Sequence, residues 1–144
     1  MNPIGPFKLR ELRALDWFQQ GYAACSPECG IGKFNSPFDG QEILAFIGTW
    51  CGDCHEQLPP FVRILEEVGF PLERLSIYAL DRGKSFGEGP FAKSGAELLK
   101  RWGIHRLPTL IFLRDGEELG RIVESPQSPD GKLHEDMRRI WSTQ

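Results

Sequence analysis

Trp50-Cys51-Gly52-Asp53-Cys54 places two thiols two residues apart at a junction between two kinds of hydrophobic pattern. Before it, Ile43-Leu44-Ala45-Phe46-Ile47 is an unbroken apolar run that predicts a buried strand. After it, Leu58, Phe61, Val62, Ile64, Leu65 and Val68 recur at helical spacing, so a helix is expected over 52–68. Cys51 therefore stands where a strand ends and a helix begins. Unpaired backbone N–H groups and the positive end of the helix dipole favour its thiolate there. A thiolate with a second thiol one turn away can attack a disulfide and then be displaced by its neighbour. That pattern points to dithiol–disulfide exchange.

Working outward, Pro59 follows Cys54 by five residues, and Leu107-Pro108-Thr109 opens a further apolar strand, Leu110-Ile111-Phe112-Leu113. Asp115-Gly116 is a hairpin turn signal, and Leu119-Gly120-Arg121-Ile122-Val123 supplies the return strand. In these ordered features, over roughly residues 40–142, the chain resembles the thioredoxin superfamily. The run Gly48-Thr49-Trp50-Cys51-Gly52-Asp53 and the tail Gly120-Arg121-Ile122-Val123-Glu124-Ser125-Pro126 are similar to a bacterial thioredoxin-like group. The resemblance implies a cis bond before Pro108, beside the redox pair. It also implies an α/β fold, a mixed central sheet flanked by helices. Residues 1–38 would form an N-terminal helix and loop packed on a thioredoxin-like domain of 39–144.

Composition narrows the function classes. The chain has 144 residues, enough for one domain that buries roughly 68–70% of its unfolded surface. Its net charge of −3 is mixed along the sequence, and no basic block suggests nucleic acid or an anionic membrane. No apolar run approaches membrane-spanning length. Met1-Asn2-Pro3-Ile4-Gly5-Pro6 lacks the charged and apolar parts of a secretory signal, so a cytoplasmic protein is expected. A mature secreted form would look the same. In a reducing compartment, a Cys-x-x-Cys pair implies catalysis more than a staple.

Element by element, a single helix is expected over 8–22 with Gly21 as its stop, then a loop over 23–42. Strands follow at 43–47 and 75–80, with a Gly-rich loop at 81–91 and a helix near 93–102. The hairpin strands at 109–113 and 118–123 and a helix near 130–142 complete the chain. Pro59 should cost the 52–68 helix a backbone bond and kink it.

Cys51 is the expected nucleophile, being nearer the helix start and beside Trp50; Cys54 lies deeper and should resolve the mixed disulfide. Trp50, Leu107 and Pro108 are the expected substrate-binding surface, the Leu107 backbone pairing with an extended segment. Asp53, His55 and Arg106 are candidate tuning residues. Asp53 replaces the proline usual in thioredoxins; its charge should raise a neighbouring thiol pKa, unless it is only an exposed first-turn acid. His55 and Arg106 would bring positive charge near Cys51 or else point into solvent. Ala45 stands where thioredoxins place a buried acid, and Gln57 where a membrane-tethered subgroup has one. Glu42, Glu56 or water would then take the proton. His105 and His134 read as surface residues, and Phe61, Phe112 and Trp141 as core.

Cys25 and Cys29 leave more than one reading open: a second disulfide, a relay pair, or inert thiols, the last favoured in a reducing cytosol. With Cys51 and Cys54 they could also form a four-cysteine zinc-binding module. Against zinc, the second pair opens a long amphipathic helix, and a zinc ribbon has no use for Pro108. The chain is thus read as a thiol–disulfide oxidoreductase needing no cofactor or metal. Its expected partners are disulfide-bearing proteins and an unidentified electron-donating reductase, and it should work as a monomer. The alternative from another class is a non-catalytic binding module on the same fold.

Overall fold

The computed structural model describes residues 3–25, 38–127 and 131–142. Five strands form one sheet: β1 (Gly5–Phe7), β2 (Gln41–Ile47), β3 (Leu75–Ala79), β4 (Thr109–Arg114) and β5 (Glu117–Val123). Their order is β1-β3-β2-β4-β5. β2 and β3 are parallel, joined by a helical crossover, and every other pairing is antiparallel. β2 and β4 supply the centre of the core, where Ile43, Phe46, Ile47, Leu110, Ile111 and Phe112 are fully buried. The sheet is flanked by helices α1 (Leu9–Arg13), α2 (Asp16–Ala24), α3 (Gly52–Val68), α4 (Ala92–Trp102) and α5 (Leu133–Trp141).

α3 matches the expected bounds because its ends are chemically marked. Cys51 is its extended N-cap, and Gly69 closes it in the left-handed conformation that glycine adopts without strain. Asp115 and Gly116 both have positive φ, the geometry a two-residue hairpin turn requires between β4 and β5.

The N-terminal segment differs from its sequence reading in three ways. The helix expected over 8–22 is two helices, separated where Leu15 turns extended and caps α2. β1, which three residues of Gly-Pro-Phe do not announce, pairs with β3 and becomes a sheet edge. Gly21 is no stop signal, since α2 continues to Ala24. Its role is close approach: a Cβ at Gly21 would fall 2.6 Å from Cγ of Pro59. Glu66 on α3 fastens both N-terminal helices, accepting hydrogen bonds from the Tyr22 hydroxyl on α2 and, at 2.8 Å, from Arg13 at the end of α1. Burial raises the Glu66 pKa, but those two bonds outweigh it and hold the carboxyl below its ordinary value.

Pro59 and Pro60 both sit inside α3, which continues past them to Val68. The expected loop over 23–42 and the start of the last helix fall partly on residues 26–37 and 128–130, outside the described residues. Among the described residues, no helix is long and apolar enough to cross a membrane.

Gly21→Ala tests the packing argument. It should destabilise the protein by about 1–3 kcal/mol, the usual range for overpacking a tight contact, despite alanine's better helix propensity. Urea denaturation measures it; a stabilised variant would show that α2 and α3 do not need this contact.

Candidate active site

The site is assembled where β2 stops. The chain turns over Gly48–Cys51, closed by a 3.0 Å bond from the Cys51 N–H to the Gly48 carbonyl, and α3 starts immediately. The turn sets the two sulfurs in different surroundings. Cys51 is half-buried, while Cys54 on the first turn of α3 is fully buried; neither is in a disulfide. The two side chains lie close together, near enough for Cys51 to act on the titration of Cys54. The Cys51 thiol lies 3.6 Å from the Leu107 carbonyl oxygen, to which it donates. Pro108 is buried beside it, and the Leu107–Pro108 bond is cis.

Trp50 is fixed from three sides. Its indole N–H donates to the Leu80 carbonyl at 2.9 Å. Its ring covers Gly48, where a Cβ would lie 2.6 Å from the ring. The Arg82 guanidinium stands 5.6 Å from the ring centroid on another side, within cation–π range. Gly48 therefore serves twice, admitting the indole and aiming its own N–H at the Cys54 sulfur at 3.4 Å. Neither Gly48 nor Arg82 is among the site residues expected from the sequence. A glycine ending a buried strand just before Trp-Cys is the available signal for Gly48; Arg82 has none.

No family model matches the chain. Over 85 residues it is 32% identical to thioredoxin from Listeria monocytogenes, an alignment covering 59% of this chain and 70% of that protein. The chain belongs to the thioredoxin superfamily. It is also 28% identical over 95 residues to mitochondrial thioredoxin-2 of Schizosaccharomyces pombe, covering 65% of this chain. There it spans only 61% of the relative's length. Among solved structures, a poplar thioredoxin h overlaps 74% of this chain and 81% of its own, with TM-score 0.48 and 23% identity.

The candidate tuning residues take separate places around this thioredoxin-like site. Asp53 is exposed on the first turn of α3, and its charge acts on Cys54. Arg106 is exposed and pairs with Glu124 at 3.2 Å. His55 does not point into solvent, the reading the sequence favours. It is half-buried, with Nε2 2.6 Å from the Thr49 carbonyl and its ring stacked on Trp17 at 4.2 Å.

Cys25 is disulfide-bonded, which corrects the expectation of an inert thiol; Cys29 lies outside the described residues. A disulfide sulfur offers zinc no thiolate, so Cys25 is not a ligand of a four-cysteine site in this state. Among the described residues, no cluster of three or more His, Cys, Asp or Glu could hold a metal.

Burial pushes the Cys54 thiol far above its ordinary pKa; the Gly48 N–H opposes this, while Cys51 and Asp53 reinforce it. A base is therefore needed if Cys54 is to react near neutral pH. The two carboxylates suggested by the sequence are poorly placed. Glu42 is exposed near the start of β2, about 16 Å from Ile47 at ~3.3 Å per strand residue. Glu56 is exposed on α3, two residues past Cys54 and so on another side of the helix. Ala45 is buried and offers no proton acceptor.

Thiolate release at Cys54 should accordingly rise with pH well past neutrality. With dithiobis(nitrobenzoate) as the disulfide, release of the second thionitrobenzoate should accelerate from about pH 6 to 9 without a plateau near 7. Asp53→Asn should move that curve to lower pH, and Ala45→Asp should speed release at neutral pH. A fast, pH-independent second release in the unmodified protein would show that a base acts on Cys54 after all.

Proposed function

We propose that the protein is a thiol–disulfide oxidoreductase that reduces disulfides in other proteins through Cys51 and Cys54. The observation that carries this reading is the asymmetric, unbridged thiol pair at the start of α3. Cys51 is half-open under the Leu107 carbonyl, and Cys54 is in contact behind it and sealed from solvent. Cys51, as thiolate, attacks one sulfur of a substrate disulfide and expels the other as a thiolate. The deprotonated sulfur of Cys54 then attacks Cys51, closing an intramolecular disulfide and expelling the second substrate thiolate. Two electrons pass from enzyme to substrate, and the expelled thiolates take up two protons. A reductase then returns two electrons to the Cys51–Cys54 disulfide.

The Leu107 backbone, in contact with the attacking sulfur, and its neighbours in the chain, Pro108 beside Leu107 and Trp50 beside Cys51, are assigned to substrate docking. An extended segment laid against Leu107 would bring its disulfide over Cys51 by strand-like pairing. The thioredoxins among its relatives support the oxidoreductase reading. The cycle needs a compartment that keeps a reductant available, as the cytosol does. Placement in a bacterial thioredoxin-like group is part of this reading and is supported by the Trp-Cys-Gly-Asp-Cys run.

Insulin reduction with dithiothreitol as the electron source tests the activity. The unmodified protein should precipitate the insulin B chain, and Cys51→Ser should not. Cys54→Ser should accumulate mixed disulfides with substrate that Cys51→Ser never forms. An unmodified protein no faster than dithiothreitol alone would favour a binding module instead. A reversed trapping pattern would exchange the roles of the two cysteines.

A further inference from the structure

His55 is held from two sides by segments that are far apart in sequence. Its Nε2 is 2.6 Å from the Thr49 carbonyl oxygen. A carbonyl can only accept, so Nε2 carries the hydrogen in this contact. The face of the imidazole stacks on the indole of Trp17, with centroids 4.2 Å and planes 22° apart. Trp17 lies on α2, seated on α3 by the Gly21–Pro59 approach and the Glu66 bonds described above. Thr49 is buried within the Gly48–Cys51 turn, immediately before Trp50. A buried carbonyl left without a donor destabilises whatever holds it there. His55 supplies that donor, and Trp17 limits the orientations in which the ring can do so.

We propose that Trp17 is a positioning residue for the thiol pair, acting through His55 to lock the Gly48–Cys51 turn and so set the reactivity of Cys51. The proposal rests on the reading of Cys51 as the reactive thiol. The turn matters because three site contacts depend on it. The Gly48 N–H meets Cys54, the Trp50 indole is held at Leu80, and Cys51 is held under Leu107. A turn free to rock loosens all three together. Trp17 touches neither sulfur, and no proton or electron passes through the stack. Its action is geometric.

The test is the alkylation rate of Cys51 by iodoacetamide in the reduced full chain, followed by peptide mass mapping across about pH 6 to 9. Trp17→Leu keeps an apolar side chain but loses the aromatic face. It should slow alkylation at neutral pH by about threefold or more, because a rocking turn no longer holds the Cys51 sulfur in place at the helix cap. His55→Ala should slow it at least as much. The double variant should be no slower than His55→Ala alone, because Trp17 acts only through that ring. Trp17→Phe should restore most of the rate.

Phe18→Leu is the control. It weakens the same helix at a buried neighbour and should lower Tm without changing the alkylation profile. A normal profile in Trp17→Leu, additive effects in the double variant, or an equal change in Phe18→Leu would each overturn the proposal. If Trp17→Leu does not fold, hydrogen exchange of the Cys51 amide decides. It should be faster in His55→Ala than in the unmodified protein, and unchanged exchange overturns the proposal. Insulin reduction measured on the same unmodified sample keeps the two claims apart. Its absence removes the proposed activity and leaves the alkylation comparison standing.

Discussion

The contact between the Gly48 N–H and the Cys54 sulfur fastens the end of β2 to the first turn of α3. It is a weak bond in itself, yet it requires several things at once. The strand must end at Ile47, the chain must turn within four residues, and residue 48 must lack a side chain so that the Trp50 ring can close over it. The same turn leaves Cys51 at the helix cap, where first-turn N–H groups have no intrahelical partner. One thiol is thereby shut into the core and the other kept at its edge. The chemistry of the site follows from that difference in depth.

The N-terminal helices help to hold that geometry. α2 can lie close on α3 because Gly21 and Pro59 meet where any larger pair would clash. Pro59 also has no N–H to offer the His55 carbonyl one turn earlier. That carbonyl lies 3.8 Å from where a Gly21 Cβ would stand, so the proline, the glycine and the histidine share one small region. On the outer side, Arg63 covers the Tyr22 ring at 5.4 Å while Tyr22 and Arg13 bond to Glu66. α2 is therefore packed against the helix at whose start both cysteines of the pair stand.

How much of this is readable in the sequence depends on how local each signal is. α3, β4, β5 and the Asp115-Gly116 turn are set by near neighbours, and their observed bounds fall within a residue or so of the expected ones. Cys51, Cys54, Trp50 and Pro108 are legible as a set from spacing and resemblance. What escapes the sequence depends on contacts between distant residues. Nothing near Gly5-Pro6-Phe7 says that it will pair with Ala79, Tyr78 and Ile77. Nothing near Gly21 says that its neighbour is Pro59, so the local rule that glycine ends helices misreads it. His55 reads as solvated because Trp17 is thirty-eight residues away. The break between α1 and α2 carries no glycine or proline at Ala14-Leu15, so periodicity alone runs the two helices together.

In the proposed exchange cycle, the same difference in depth means that having alanine rather than an acid at position 45 bears on only one of the two steps. Cys51 sits at the cap of α3 and is half-open to solvent. Cys54 is fully buried. Its one bonded donor is the Gly48 N–H, and the negative charges of Cys51 and Asp53 both oppose its ionisation. Once Cys51 enters a mixed disulfide, however, its sulfur is neutral and that part of the opposition disappears. In the proposed cycle, attack on substrate would therefore itself lower the barrier to deprotonating Cys54. With alanine at position 45, this change in charge is what would couple the first step of the proposed exchange to the second.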